Sequence, residues 1–175
     1  MPGGVRSGIY LGFSADTLVG GCLKFRIRNM KESDLDGVVA IEEVSFPTPW
    51  SREMFREDLT RPFSQPFAAE GPAGDILGYV VCWNVAGESH LLNIAVHPGF
   101  RGRGVGEALL LETIRRAERA GSKSIHLEVR TGNDQAQTLY RKCGFTFIGI
   151  RKGYYTDTGE DALIFSREIR PTDAT

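Results

Sequence analysis

Residues 91–111 read LLNIAVHPGFRGRGVGEALLL, and this stretch decides the fold. The apolar run at 91–96 predicts a buried strand that stops at the turn signal His97-Pro98-Gly99. A glycine-rich turn follows, and an apolar helical pattern begins directly after it. Free backbone N–H groups and the positive end of the helix dipole meet at such a junction. The stretch therefore predicts an anion-binding site between a central strand and a helix.

The residues of this turn indicate which kind of phosphate would fit. Gly102, Gly104 and Gly106 carry no Cβ atom, so a phosphate can approach the backbone there. Arg101 and Arg103 supply cations that suit a pyrophosphate or a nucleotide phosphate. A P-loop is excluded because glutamate and alanine follow the last glycine, and the R-x-x-G-x-G register differs from the dinucleotide pattern. A tight turn without a ligand is the alternative.

The composition sets limits on the class of protein. A chain of 175 residues with 41% hydrophobic and 25% charged residues is expected to form one globular domain. The net charge of −1 argues against general nucleic-acid binding, and no apolar run is long enough to predict a membrane span. Cys22, Cys82 and Cys143 are widely spaced, which favours reduced thiols in the cytoplasm, with Cys82 and Cys143 as core residues.

The chain in order predicts a single α/β layer. Periodicity and turn signals give a strand, two helices, three strands, a helix, a strand, a helix and two strands. Ser33 and Ser51 are expected to cap the first two helices, and Trp50 and Phe55 to pack as a hydrophobic staple. We predict a mixed central sheet flanked by helices in one domain over residues 23–170, after a flexible extension (1–22) and before a short tail (171–175).

The glycine register and the element order resemble the GNAT superfamily of N-acetyltransferases. The strand N-I-A-V-H-P followed by R-x-x-G-x-G is similar to the acetyl-coenzyme A loop of that superfamily. Further stretches resemble its RimI family, the ribosomal-protein-alanine N-acetyltransferases. They are Phe46-Pro47-x-Pro49-Trp50-Ser51, Leu127-Glu128-Val129-Arg130 with Asn133, Ala136, Leu139-Tyr140 and Gly144-Phe145, and Arg151-x-Gly153-Tyr154-Tyr155 with Gly159-Glu160-Asp161-Ala162. The resemblance covers about residues 25–169.

Two side chains are the candidate catalytic groups. Acyl transfer from a thioester to an amine requires a neutral amine and a proton for the departing thiolate. The resemblance assigns the first task to Glu128 as general base and the second to Tyr140 as general acid. Without the resemblance, Glu128 would be interpreted as an ion-paired residue at a strand end, and Tyr140 as a core aromatic.

The resemblance also implies where acetyl-coenzyme A binds. Relatives often have a cation at the position of Gly102, so Arg101 and Arg103 are expected to supply that charge here. The strand would pair with the pantetheine arm, the loop would hold the pyrophosphate, and one asparagine would contact the coenzyme. The predicted residues are Ile94, Ala95, Val96, Arg101, Gly102, Arg103, Gly104, Val105, Gly106, Glu107 and Asn133.

The acceptor side is predicted from aromatic and acidic residues. A wall stiffened by two prolines would contribute Phe46 and Trp50, and the segment before the last strand would contribute Tyr154 and Tyr155. The spacing between Phe46 and Trp50 is longer than the compact F-P-W form, so this wall is expected to be reshaped. A basic peptide would be received by carboxylates, which are Glu42, Glu43, Asp157, Glu160 and Asp161.

These features predict a cytoplasmic Nα-acetyltransferase. Its substrate would be the N-terminal alanine of a small-subunit ribosomal protein, with neither a metal nor a covalent intermediate required. Acetylation of a small amine such as a polyamine or an aminoglycoside, acetylation of lysine side chains, and a coenzyme-binding module without turnover are the alternatives. The sequence leaves the oligomeric state and the breadth of N-terminal specificity open.

Overall fold

The computed structural model describes residues 23–169, so the predicted extension (1–22) and tail (171–175) lie outside the described residues. The strands are β1 (Arg26–Asn29), β2 (Phe67–Glu70), β3 (Ile76–Val85), β4 (Glu88–Val96), β5 (Ser124–Arg130), β6 (Thr146–Tyr155) and β7 (Glu160–Glu168). The α-helices are α1 (Leu35–Ser45), α2 (Arg52–Thr60), α3 (Val105–Arg119) and α4 (Asp134–Lys142). The predicted order of elements is confirmed.

The strands form one mixed sheet in the order β1-β2-β3-β4-β5-β7-β6. Only β4 and β5 run parallel; the other neighbouring pairs are antiparallel. Side chains that alternate along the strands enter two apolar cores. One core packs α1 and α2 against β3, and the other packs α3 and α4 against β5 and β7. Cys82 and Cys143 are free thiols in the second core, as predicted.

Strands β4 and β5 pair along only part of their length. Their register runs from Glu88 opposite Ser124 to Leu91 opposite Leu127 and then stops. On the other side of β4 the pairing with β3 continues, but Leu92 is an extra residue that forms a β-bulge. Within the described residues, positions 92–96 of β4 therefore have a partner strand on one side only, and a gap opens between β4 and β5.

The start of α1 differs from the prediction. Ser33 does not cap this helix, because a 3-10 turn (Glu32–Asp34) precedes it and α1 begins at Leu35. Asp34 accepts the backbone N–H of Lys31 at 2.8 Å and closes that turn. Asp34 is the residue at the N-cap of α1, but its carboxylate binds Arg28 of β1 and does not accept an N–H group of the helix.

The start of α2 agrees with the prediction. Ser51 Oγ accepts the backbone N–H of Met54 at 3.3 Å, as a helix N-cap does. The rings of Trp50 and Phe55 have centroids 5.4 Å apart, which confirms the hydrophobic staple. The cap and the staple together fix the direction in which the preceding loop enters the helix.

A cluster of charged side chains joins β1, β2 and the turn before α1. Arg28 donates to both oxygens of Asp34 at 2.7 and 2.9 Å and to Glu70 at 3.0 Å, and Arg26 also donates to Glu70. The hydrogen bonds from these guanidinium groups, of which that from Arg28 has the largest effect, lower the pKa of the Glu70 carboxyl to about 2. The ionised form of Glu70 therefore stabilises the folded state.

We expect Glu70→Gln to remove a pH-dependent part of the stability. Because the pKa of Glu70 is about 2 in the folded state, against an ordinary value of 4.5, its contribution is complete above about pH 4.5. It is lost as the pH falls towards 2. Urea unfolding at pH 7 and pH 3 should show a stability deficit of Glu70→Gln at pH 7 that shrinks at pH 3. Glu43→Gln, at an exposed site, is the control and should follow the parent; an equal deficit of Glu70→Gln at both pH values would contradict the assignment.

Candidate active site

The glycine turn before α3 leaves open space beside its backbone. Gly102 and Gly104 have φ values of +71° and +87°, in the left-handed region that favours glycine. A Cβ atom added at either position would meet no atom within 4 Å. Gly104 is also the N-cap of α3 and has no side chain to cap the helix, and Ala108 is bonded back to the Gly104 carbonyl at 3.0 Å. The N–H groups of residues 105–107 are therefore suited to an anionic ligand.

The two arginines of the turn lie in different places. Arg101 Nε donates to the Val96 carbonyl at 2.9 Å, and its Nη2 donates to Ser45 Oγ at 3.0 Å. It thus ties the end of β4 to the end of α1. Arg103 is exposed, with its guanidinium carbon 5.9 Å from the centroid of the Phe100 ring. Of the two predicted cations, Arg103 is the one that is left for a phosphate.

The first turn of α3 carries a neutralised carboxylate. Glu107 Oε2 accepts from Lys142 Nζ of α4 at 2.7 Å. This hydrogen bond to the Glu107 carboxylate raises the pKa of the Lys142 amine. Val105 is buried and Gly106 lies against Leu139, so they hold the turn in place by packing. Lys142 was not predicted from the sequence, because its neighbour Glu107 is 35 residues away along the chain.

Glu128 lies on β5 just beyond the point where β5 leaves β4. Its neighbours Leu127 and Val129 are buried in the core formed by α3 and α4, so Glu128 projects from the opposite face of the strand. Its side chain is 28% exposed, and its Oε1 lies 3.4 Å from Arg151 Nη1 of β6. The carboxylate is accessible from the gap and is ion-paired at its outer edge.

Tyr140 lies on α4, within the core on the other face of the sheet. Its ring centroid is 6.1 Å from that of Phe145 and 6.2 Å from that of Phe165. In the described part of the chain its hydroxyl has no hydrogen-bond partner. Burial, with a smaller electrostatic contribution from Tyr155, raises the pKa of the Tyr140 hydroxyl well above its ordinary value. The phenol therefore stays protonated at neutral pH, as a proton donor must.

Asn133 caps α4. Its Oδ1 accepts the backbone N–H of Ala136 at 3.1 Å, while its Nδ2 makes no hydrogen bond within residues 23–169. The side chain is exposed at the start of α4, so its amide N–H groups face solvent. The predicted contact with the coenzyme stays a prediction.

Two loops meet over the outer face of the gap. Thr48 Oγ1 of the α1–α2 loop donates to Asp157 Oδ2 at 2.9 Å, and Arg130 donates to both oxygens of Asp157 at 3.1 and 2.7 Å. The Arg130 guanidinium carbon lies 3.9 Å from the centroid of Tyr155. Burial raises the pKa of the Tyr155 hydroxyl to about 12, although Arg130 opposes this. The structure thus joins loops that are 109 residues apart.

The predicted aromatic residues are distributed around these loops. Phe46 and Trp50 are half-buried against the core of α1 and α2. Tyr154 is 45% exposed, and its ring is 5.1 Å from that of Tyr155 in an edge-to-face arrangement. Tyr155 is half-buried, and its ring lies against the guanidinium group of Arg130.

Four of the five carboxylates that were predicted to receive a basic peptide are not free in the structure, because three are ion-paired and one is buried. The binding of a basic peptide stays a prediction. Asp157 is bound by Arg130, Glu160 Oε1 lies 3.5 Å from Arg130 Nη1, and Asp161 accepts from Lys152 Nζ at 2.8 Å. The hydrogen bond from Arg130 is the largest of the interactions that lower the pKa of the Asp157 carboxyl to about 2. The cations, Arg130 and Lys152, lie on β5 and β6, and the sequence did not indicate that they pair with these carboxylates.

Glu42 is the fourth exception, because it is buried rather than exposed. Only 1% of the residue is accessible. The sequence contained a signal for this, since Leu35, Val38 and Glu42 follow the three- and four-residue spacing of the buried face of α1. Burial raises the pKa of the Glu42 carboxyl, while hydrogen bonds from Trp50, Tyr79 and Asn93 oppose the shift. Glu43 is exposed, as predicted.

Within residues 23–169 no group of three or more His, Cys, Asp or Glu side chains could hold a metal ion. No helix in that part of the chain is long and apolar enough to cross a membrane.

The family follows from sequence comparison. The sequence model described as Acetyltransferase (GNAT) family matches residues 35–145, and the chain belongs to this family. Enzymes of the family transfer an acetyl group from acetyl-CoA, and this protein is accordingly an acetyltransferase.

The relatives narrow the membership further. A Bacillus subtilis protein, provisionally named ribosomal protein bS18-alanine N-acetyltransferase, is 40% identical over 142 residues, which span 81% of this chain and 93% of that protein. The Escherichia coli ribosomal protein bS18-alanine N-acetyltransferase is 32% identical over 145 residues, 82% of this chain and 97% of that enzyme. A crystal structure of an Escherichia coli ribosomal-protein-alanine N-acetyltransferase superposes with a TM-score of 0.76 at 30% identity, covering 87% and 99% of the two chains. The predicted membership of the RimI family is confirmed.

We expect Gly104→Val to weaken acetyl-CoA binding, because a branched side chain would fill the space beside the helix N-terminus. Gly74→Val is the matched control: Gly74 also has a positive φ, of +83°, and open space around it, but it lies in the turn between β2 and β3. Calorimetric titration should show a loss of affinity for Gly104→Val only. Equal affinities of the two variants would contradict the loop assignment.

We expect Tyr140→Phe to lower kcat about a hundredfold or more if the hydroxyl protonates the leaving thiolate. The substitution keeps the ring and its contacts with Phe145 and Phe165, so the melting temperature should change little. Steady-state thiol release measures the rate, and calorimetry checks that coenzyme affinity is retained. A folded variant with the parent kcat would show that Tyr140 serves packing alone.

Proposed function

We propose that this protein is a cytoplasmic Nα-acetyltransferase that acetylates the N-terminal alanine of a small-subunit ribosomal protein. The names of the Bacillus subtilis and Escherichia coli relatives give bS18-alanine as the acceptor, and the chain spans nearly the whole length of both. The buried free thiols Cys82 and Cys143 agree with a reducing compartment.

The gap between β4 and β5 is the observation that carries this proposal. Pairing ends at Leu91 and Leu127, and the next residue of β5 is Glu128. Glu128 projects from one face of the sheet, and Tyr140 belongs to the core on the other. A thioester threaded through the gap would therefore have a base on the side of the amine and an acid on the side of the sulfur.

The residues around the gap fit the parts of acetyl-CoA. The open space at Gly102 and Gly104 and the N–H groups of residues 105–107 suit the pyrophosphate. Arg103 is the available cation. The unpaired edge of β4 at Ile94 and Ala95 presents backbone groups to the pantetheine arm, whereas the carbonyl of Val96 already accepts from Arg101. The Nδ2 group of Asn133 is a further donor on this side.

Glu128 is proposed to remove the proton that keeps the acceptor amine charged. A protein α-amine has an ordinary pKa of about 7.7–8, against about 10.4 for lysine. A carboxylate acting directly or through water is therefore adequate for an N-terminus. The ion pair with Arg151 involves Oε1 of Glu128, and the side chain is still 28% exposed.

Tyr140 is proposed to supply the proton that the thiolate takes up. The amine nitrogen forms the new C–N bond as the thioester C–S bond breaks, and the hydroxyl proton of Tyr140 passes to sulfur. The raised pKa of this phenol keeps it protonated until that moment. The tyrosine regains its proton from solvent after the thiol leaves.

The outer face of the gap suits a peptide end. Phe46 and Trp50, half-buried against the core of α1 and α2, are proposed as one wall, and Tyr154 and Tyr155, whose rings contact each other, as the other. The contact between Thr48 and Asp157 closes the top of this space between the two loops. We infer that a chain terminus enters from the side that this contact leaves open.

A peptide that begins with alanine and contains an internal lysine tests the proposal. We expect acetylation at the α-amine in preference to the lysine, because the α-amine loses its proton more easily. Mass spectrometry of the product locates the acetyl group, and the same peptide with a blocked N-terminus is the control. Acetylation mainly at lysine, or a polyamine that outcompetes the peptide in kcat/KM, would contradict the proposed function.

A further inference from the structure

Glu42 forms a hydrogen-bonded centre beneath the acceptor loop that the proposed chemistry does not use. Its Oε1 accepts the backbone N–H of Trp50 at 2.9 Å, and its Oε2 accepts the hydroxyl of Tyr79. Asn93 Nδ2 donates to both oxygens, at 3.2 and 3.1 Å. Within residues 23–169 no Lys or Arg forms an ion pair with this carboxylate. Its partners are all neutral donors with fixed directions.

The loop between α1 and α2 is held by Glu42 at both of its ends. The backbone N–H of Phe46, where the loop begins, donates to the Glu42 carbonyl at 3.0 Å. The N–H of Trp50, where the loop ends, donates to the side chain of the same residue. The first of these is the last backbone bond of α1, so the tie specific to the glutamate is the second, which binds the end of the loop back to that helix. Helix α2 starts directly after it.

Asn93 connects the same carboxylate to the donor side. It follows the bulged residue Leu92 in β4, directly after the pairing with β5 has ended at Leu91. Asn93 is 7% exposed and faces α1, as Tyr79 on β3 does. A strand edge without a second partner has freedom to shift, and the bonds from Asn93 to Glu42 restrict it.

We propose that Glu42 is a positioning residue that sets the distance between the acetyl-donor edge of β4 and the acceptor wall at Trp50. One carboxylate with several acceptor directions holds both parts, so neither can move without breaking bonds to it. This inference rests on the proposed function, because it takes the two sides of the gap as donor and acceptor. A displacement of about 1 Å between reacting groups can lower the rate by about a hundredfold.

Glu42→Gln is the principal test. Glutamine preserves the size of the side chain but has only one acceptor oxygen. In the parent protein the donors share the two carboxylate oxygens of Glu42. We expect kcat for an alanine-starting peptide to fall about ten- to a hundredfold, while the Kd of acetyl-CoA, which depends on the glycine turn, stays near the parent value. Tyr79→Phe is the matched control, because it removes one donor to Glu42 without touching the loop or β4; it should keep the parent kcat.

A second measurement reports position without activity. Incorporation of 5-fluorotryptophan gives separate fluorine signals for Trp50 and Trp83, the two tryptophans of the chain, and Trp83→Phe assigns them. Glu42→Gln should shift or broaden the Trp50 signal and leave the Trp83 signal in place. If the parent enzyme acetylates no peptide α-amine but this selective shift occurs, the proposed function fails, while the tie between Glu42 and the loop at Trp50 stands.

Three outcomes would overturn the inference. The first is a folded Glu42→Gln protein with the parent kcat and an unchanged Trp50 signal. The second is an equal loss of kcat in Glu42→Gln and Tyr79→Phe that follows their melting temperatures, since that shows a role in stability alone. If Glu42→Gln does not fold, Asn93→Ala replaces it, because Glu42 then retains its bonds to Trp50 and Tyr79. The third outcome that would overturn the inference is an Asn93→Ala protein with the parent kcat.

Discussion

Strands β4 and β5 share a ladder from Glu88 to Leu91 on one side and from Ser124 to Leu127 on the other, and the site depends on where it stops. A parallel pair that continued would satisfy the backbone of both strands and close the sheet. Because it ends early, β4 keeps free N–H and C=O groups along one edge. Because pairing ends at Leu127, the next residue, Glu128, lies at the border of the gap between β4 and β5. The surrounding packing must therefore hold open a sheet that its own hydrogen bonds would otherwise close.

The end of α1 supplies much of that support. Ser45 receives Arg101, which also binds the carbonyl of Val96, and Glu42 receives Asn93. The two anchors lie at either end of the unpaired segment of β4. Burying a carboxylate without a cation is costly, and the neutral hydrogen bonds around Glu42 offset that cost. The geometry at the gap is thus linked to a group that tolerates little displacement.

Charge at the outer rim is used for structure rather than left for a partner. Arg130 lies at the end of β5, stacks on Tyr155 and binds Asp157, which in turn reaches Thr48. A guanidinium group suits this arrangement because it is planar and can donate in several directions while its face covers a ring. The hydrogen bond between Thr48 and Asp157 joins the two loops, and Arg130 of the central sheet holds Asp157 in place for it. This explains why the acidic residues there are not free to attract a basic peptide.

The sequence by itself determined the order of elements, the mixed sheet, the glycine turn at the start of α3 and the family. The elements and the turn rest on local spacing, as in the alternation of β5, the helical stripe of α3 and the glycines at 102 and 104. The family rests on the resemblance of several motifs along the chain. Only the tertiary structure decided that Asn93 binds Glu42, that Arg101 faces Ser45 and that Asp157 is paired with Arg130. These contacts join residues from 27 to 56 positions apart. Periodicity shows which face of an element is buried, but it does not show which distant side chain lies opposite, because that depends on how the whole sheet and its helices pack.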